Sequence, residues 1–176
     1  MSHPDFLPAN YEAPKTGGNY MKFAQWENRF RILQSPIIGW VDWKEEDGKR
    51  KPVRTKEKRP ALGEKQPKHF WAMKVWSYDD QSIMILEITQ TNIRNNLMSL
   101  VKDDDWGTPL MYDLVVIRKG EGLDTEYTVN PKPKKDLDPA IIEAELNTYV
   151  NLEALFENAD PFTKPTDKTP EEEERF

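Results

Sequence analysis

Nine basic residues fall within twenty positions of this 176-residue chain: Lys49, Arg50, Lys51, Arg54, Lys56, Lys58, Arg59, Lys65 and Lys68. Only Glu57 and Glu64 oppose them, so the stretch carries a net charge of +7. Aromatic residues flank it, with Trp40 and Trp43 before and Phe70, Trp71, Trp76 and Tyr78 after. Cations hold a chain of phosphates, and flat rings offer faces on which unpaired bases stack, each worth about 1–3 kcal/mol by alanine substitution. Each phosphate neutralised on a single strand adds about −0.7 to the slope of log K against log salt. Rings and cations at this density point to single-stranded nucleic acid bound without regard to sequence.

Residue types for other chemistry are scarce. There are no cysteines, which removes thiol catalysis, disulfides and Cys-ligated zinc, and His3 and His69 are the only histidines. Asp103, Asp105 and Asp113 are the carboxylates that a small metal-dependent nuclease would use. Consecutive acids such as Asp103-Asp104-Asp105 do not converge readily on one ion, and they read better as a solvated turn after a helix. Gly120 and Gly122 are turn residues, because no Walker pattern follows them. No catalytic residue, metal or cofactor is expected.

The overall net charge of −6 conceals a division. Residues 136–176 hold 12 acidic and 3 basic residues, a net of −9, which leaves +3 on residues 1–135. A basic body with an acidic end is the asymmetry of nucleic-acid proteins. The chain finishes on Glu171, Glu172, Glu173, Glu174, Arg175 and Phe176. Either this is a solubility tail, or Phe176 enters an apolar pocket on a replication or recombination protein whose basic rim reads the acids. A tethered acidic tail also competes in cis for the basic stretch. No run of eighteen apolar residues suggests a membrane span. The start, Met1-Ser2-His3-Pro4-Asp5, has no secretory pattern, and the lack of cysteine fits a reducing cytoplasm.

These residues need elements to position them. Residues 1–19 read as a flexible arm. From Trp26 the pattern alternates: Trp26, Asn28, Phe30 and Ile32 point one way, Glu27, Arg29, Arg31 and Leu33 the other, as in a half-buried strand. Pro36 and Gly39 imply a bend, a bulge or a second strand before Trp43. Residues 44–68 read as a long loop with at most a short extended piece at Pro52–Thr55. His69 to Tyr78 and Gln81 to Ile88 form a hairpin. Ile93, Leu97, Leu100 and Val101 have helical spacing, with Thr91 as N-cap. Met111–Lys119 and Asp124–Val129 are the last strands, and residues 136–158 are a weakly helical extension before the acidic tail at 159–176.

Five strands with one helix between the third and fourth is the order of an OB-fold, a Greek-key barrel. Its nucleic-acid site lies across strands 2 and 3 and between the 1–2 and 4–5 loops. On the second strand Phe70, Ala72, Lys74, Trp76 and Tyr78 share a face; Trp71, Met73 and Val75 share the other. An inward lysine is costly, so Phe70 and Trp76 become stacking platforms, Lys74 a phosphate partner, and Trp71 and Met73 core. Arg29 and Arg31 face solvent or nucleic acid, and Trp40 and Trp43 are further rings for stacking.

The chain also resembles the single-stranded-DNA-binding proteins of tailed bacteriophages and prophages. The resemblance rests on Trp26-Glu-Asn-Arg-Phe-Arg-Ile-Leu33, Ser35-Pro-Ile-Ile-Gly-Trp40, Lys68-His-Phe-Trp-Ala-Met-Lys-Val-Trp76, Asp105-Trp-Gly107 and Gly120-Glu-Gly-Leu-Asp-Thr-Glu-Tyr-Thr-Val129. It covers roughly residues 20–157. It implies an OB-fold domain at 20–135, no enzymatic activity, and a role in DNA replication or recombination, in the host cytoplasm for a phage protein. Zinc sites occur in some proteins of this functional class, but without cysteine none carries over. The tail is similar to the acidic, Phe-terminated tails of bacterial single-strand binders. Self-association along DNA, an adaptor binding protein or RNA, and the small nuclease stay open as alternatives.

Overall fold

A computed structural model describes residues 19–164. Its strands are β1 (Trp26–Ile32), β2 (Ile37–Glu46), β3 (Lys49–Thr55), β4 (Lys68–Ser77), β5 (Ser82–Ile88), β6 (Asp113–Lys119) and β7 (Glu126–Pro131). Two α-helices, α1 (Thr91–Lys102) and α2 (Pro139–Leu146), and a 3-10 helix at Leu152–Glu157 complete the set that positions the site. The protein is mainly β. All seven strands belong to one antiparallel sheet, ordered β3-β2-β4-β1-β6-β7 with β5 on β4.

The long bent strand is two strands. β1 pairs with the end of β4 (Phe30 opposite Ser77) and β2 with its beginning (Gly39 opposite Phe70). Because β5 occupies the other edge of β4 along 71–77, β1 and β2 share one edge and the kink at 33–36 redirects the chain between them. The sheet is not closed: among the described residues β5 and β7 do not pair. Helix α1 bridges that side instead, where Ile93 and Leu97 enter the core and Asn92 Nδ2 donates to the Tyr127 carbonyl at 2.6 Å.

The strand count is thus seven, not five. The difference lies in residues 44–55, expected to be loop apart from a short extended piece at Pro52–Thr55, where β2 continues and β3 pairs back on it; only 56–67 remain irregular. Smaller differences follow the backbone. Gln90, extended at φ −73°, ψ 117°, is the N-cap of α1 in place of Thr91, and the last strand runs two residues later than expected. Trp26 leaves the buried face of Asn28, Phe30 and Ile32, because its φ of +72° turns the strand end outward and leaves it 65% exposed.

The sheet carries an apolar cluster on each side. One packs Phe30, Met73, Val75, Leu86, Leu114 and Val116 under α1, with Trp71 partly buried against it. The other sits on the opposite face: Val41, Phe70, Ala72 and Ile85 are covered by Leu152 and Leu155, with Phe156 and Phe162 beside them. Gly39 permits this cover. A Cβ there would lie 2.5 Å from the Thr55 carbonyl oxygen, 2.9 Å from the Phe156 ring and 3.1 Å from Phe70. Gly39→Ala is therefore expected to lower stability by about 1–3 kcal/mol through overpacking. Urea unfolding of the two proteins tests this, and equal midpoints would contradict it.

Candidate nucleic-acid interface

The basic stretch is built on the β2–β3 hairpin. Asp47 and Gly48 have φ of +54° and +75°, the two positive values that a two-residue type I′ turn requires. β2 pairs with β4 only as far as Val41, so the hairpin extends past the body of the sheet. Pro52 suits β3 because β3 is the outermost strand and needs no donor on its free edge. Trp43 stands opposite Pro52, 43% exposed, with the Arg50 guanidinium 5.4 Å from its ring centroid. Lys44 and Lys51 face each other directly in the register, and Glu46 Oε2, 3.7 Å from Lys44 Nζ, partly relieves the like charges.

Residues 56–67 fold back on this hairpin. Asp42 fixes them, its Oδ2 accepting from the Leu62 N–H at 2.8 Å while Oδ1 accepts from the Trp43 N–H at 2.8 Å. On that side the Lys58 ammonium lies 5.3 Å from the Trp40 ring, which tilts against His69 at 4.8 Å. Burial, and then the charge of Arg94, lower the pKa of His69, so the imidazole stays neutral at pH 7. Between hairpin and loop runs a groove of about 840 Å³ with Trp43, Lys44, Arg50, Lys65 and Lys68 on its walls. A smaller apolar cleft of about 420 Å³ lies between Trp40, Val53, Pro60 and Leu62.

The expected site residues divide. Lys49, Arg50, Lys51, Lys56, Lys58, Arg59 and Lys68 are exposed on β3, the loop and the start of β4. Phe70 is not a stacking platform: it is wholly buried, its ring 6.0 Å from that of Phe156. Lys74 is not a free phosphate partner, because its Nζ lies 2.7 Å from Glu145 Oε2 of α2. Arg54 is spent on Glu87 at 2.6 Å, its side chain 12% exposed. Lys56 is 3.4 Å from Glu153. One cause accounts for Phe70 and Lys74: face and alternation are as expected, but the segment 139–162 lies over the face instead of leaving it open. Arg54 is held instead by β5, and Lys56 stays exposed beside Glu153.

Farther along the same face, Arg31 does not face solvent or nucleic acid. It is 2% exposed, its guanidinium donating to Asp113 Oδ1 at 3.3 Å, to the Leu110 carbonyl at 3.1 Å and to that of Lys135 at 2.9 Å. Arg29 Nη2 donates to Asp113 Oδ2 at 2.8 Å, Lys135 Nζ lies 3.2 Å from the same oxygen, and the Tyr78 phenol donates to Oδ1 at 3.0 Å. Burial pushes the Asp113 carboxyl up, but hydrogen bonds from Arg29, Tyr78 and Lys135 outweigh it and hold the group below the usual carboxylate range. Burial and the bond to Asp113 push the Tyr78 phenol up to about 12. Trp76 is half-buried, edge-on to Tyr78 at 6.5 Å.

Asp113 is thus closed to a metal by its own partners. Asp103 Oδ1 accepts from the Asp105 N–H at 2.8 Å as a local turn, and no group of acids or histidines among the described residues is placed to hold an ion. Nor is any helix among them long and apolar enough to cross a membrane. The arm before Asn19 and the tail residues Glu171, Glu172, Glu173, Glu174 and Phe176 lie outside the described residues. The sequence does not single out Lys44 or Lys135. The Asp47-Gly48 pair was the available signal for the hairpin that carries Lys44; nothing in the sequence joins Lys135 to Asp113. Compared with protein-family models, curated proteins and solved structures, the chain matches none.

Proposed function

We propose that this protein binds single-stranded DNA without sequence preference and without catalysis, on an OB-like domain whose 1–2 loop is enlarged into the β2–β3 hairpin. The observation that carries this is the pairing of rings with cations on that hairpin: Trp43 under Arg50 and Trp40 under Lys58. A ring with a cation on one side presents its other face to a base and a charge beside it for the phosphate. The element order β1, β4, β5, α1, β6, β7 supports the OB-like reading, with β1 and β2 serving as the bent first strand. The acidic tail fits recruitment of a replication or recombination protein or competition with DNA in cis.

A protein-binding adaptor is the second reading, favoured by one feature. An apolar cleft of about 260 Å³ lies between Ile38, Trp71, Val101 and Pro109, and Ile38 and Val101 are each about half exposed. Competition separates the two readings. Labelled oligothymidylate is expected to be displaced by unlabelled single strands far more readily than by duplex of equal length, because stacking needs unpaired bases. Equal displacement by duplex would defeat the single-strand reading.

A further inference from the structure

We infer that Arg29, Lys135, Tyr78 and Trp76 form a discrete subsite for one phosphodiester and its adjoining base, with Asp113 as the positioning residue; this rests on the single-strand reading above. Arg31 is the buried counter-charge of Asp113, with side-chain exposures of 3% and 0%. Two further cations nevertheless converge on Oδ2, and they are the exposed ones: Arg29 at 41% and Lys135 at 50%. Three cations against one carboxylate leave a net charge of +2.

Half-exposed ion pairs add little to stability, and gathering like charges at one oxygen opposes folding. An oxyanion docked between them removes that repulsion and meets the guanidinium fork that suits phosphate. Both cations lie over the Tyr78 ring, at 5.4 Å and 5.8 Å from its centroid. Tyr78 is locked by its bond to Asp113, and Trp76 stands edge-on beside it, an aromatic wall next to the charge. The register places Trp43 and this subsite on one side of the sheet, while Trp40, opposite His69, lies on the other. Gly39 and Val41 of β2 are opposite Phe70 and Lys68 of β4, so by alternation Trp43 shares the face of Lys74, Trp76 and Tyr78. The segment 139–162 lies between them, so the DNA reaches this subsite as a second point of contact separate from the hairpin.

The test compares Arg29→Gln, Lys135→Gln, the double variant and Trp76→Leu in oligothymidylate titrations across salt. Lys102→Gln, an exposed cation outside both patches, is the control. The double variant is expected to flatten the log K against log salt slope by about 0.7, the share of one phosphate. Trp76→Leu is expected to weaken binding roughly tenfold at every salt concentration, and the control to match wild type. Near-ultraviolet circular dichroism checks the fold of each variant. As a measurement that needs no variant, wild-type protein cross-linked to 5-iododeoxyuridine oligomers is expected to carry label on Trp76 or Tyr78 as well as on the hairpin. Wild-type affinity with an unaltered slope in the double variant, an equal change in the control, or no label within residues 68–80 would overturn the subsite and leave the hairpin reading standing. Absence of wild-type binding would overturn both.

Discussion

Asp113→Ala is expected to lower folding stability by about 3–5 kcal/mol, the usual cost of removing one partner from a buried ion pair. The cost arises mostly at Arg31. Its guanidinium is buried, and without Asp113 it keeps only the carbonyls of Leu110 and Lys135 as acceptors. Arg29 and Lys135, being half-exposed, can turn to water. Asp113→Asn retains an oxygen acceptor but not the charge, so it should fall between alanine and wild type. The pH dependence has a definite sign. The folded carboxyl is held below its unfolded value, so its contribution is present above about pH 4 and is lost as pH falls through the depressed folded value. Urea midpoints at neutral pH check the first point, and their convergence between wild type and Asp113→Asn in acid checks the second. A loss below about 1 kcal/mol would mean that Arg31 is already solvated.

On the hairpin, the effect falls on binding instead of stability. Trp43→Ala is expected to weaken oligothymidylate binding by about 1–3 kcal/mol, at all salt concentrations, because stacking is not an ionic term. The Lys49/Arg50/Lys51→Ala triple variant should weaken binding most in dilute buffer and reduce the salt slope by about 2. Since these residues are exposed, unfolding midpoints should move by no more than about 0.5 kcal/mol. Equal affinity in the Trp43 variant would move the stacking site elsewhere. A triple variant with unchanged slope would remove the hairpin from the DNA path.

Much of this architecture is legible in the residues. The strict alternation of β4 marks Met73 and Val75 as core, and the 3.6-residue spacing of Ile93 and Leu97 marks α1, because each pattern repeats often enough to exclude the other period. β3 escapes that logic. Lys-Arg-Lys-Pro-Val-Arg-Thr has little apolar alternation, since an outermost strand has little surface to bury, and its local signs are the Asp47-Gly48 turn and the short extended piece at Pro52–Thr55. Alternation also names a face without naming what covers it. Phe70, Lys74 and Arg31 point where the pattern says, yet Phe156, Glu145 and the Leu110 and Lys135 carbonyls reach them from distant sequence. Leu152, Leu155 and Phe156 stand at i, i+3 and i+4, a spacing that names a helical face but not the sheet face it covers. Gly39 hinted at a close approach, but not that the approaching group is Phe156.

The central claim is that unpaired bases rest on the hairpin rings while adjacent cations hold the phosphates. Its most direct test is a titration of wild-type protein with oligothymidylate, followed by tryptophan fluorescence over a series of salt concentrations. Quenching with a log–log salt slope near −3 to −4, as about four to six neutralised phosphates require, is the predicted result. No quenching in dilute buffer, or binding indifferent to salt, would contradict it.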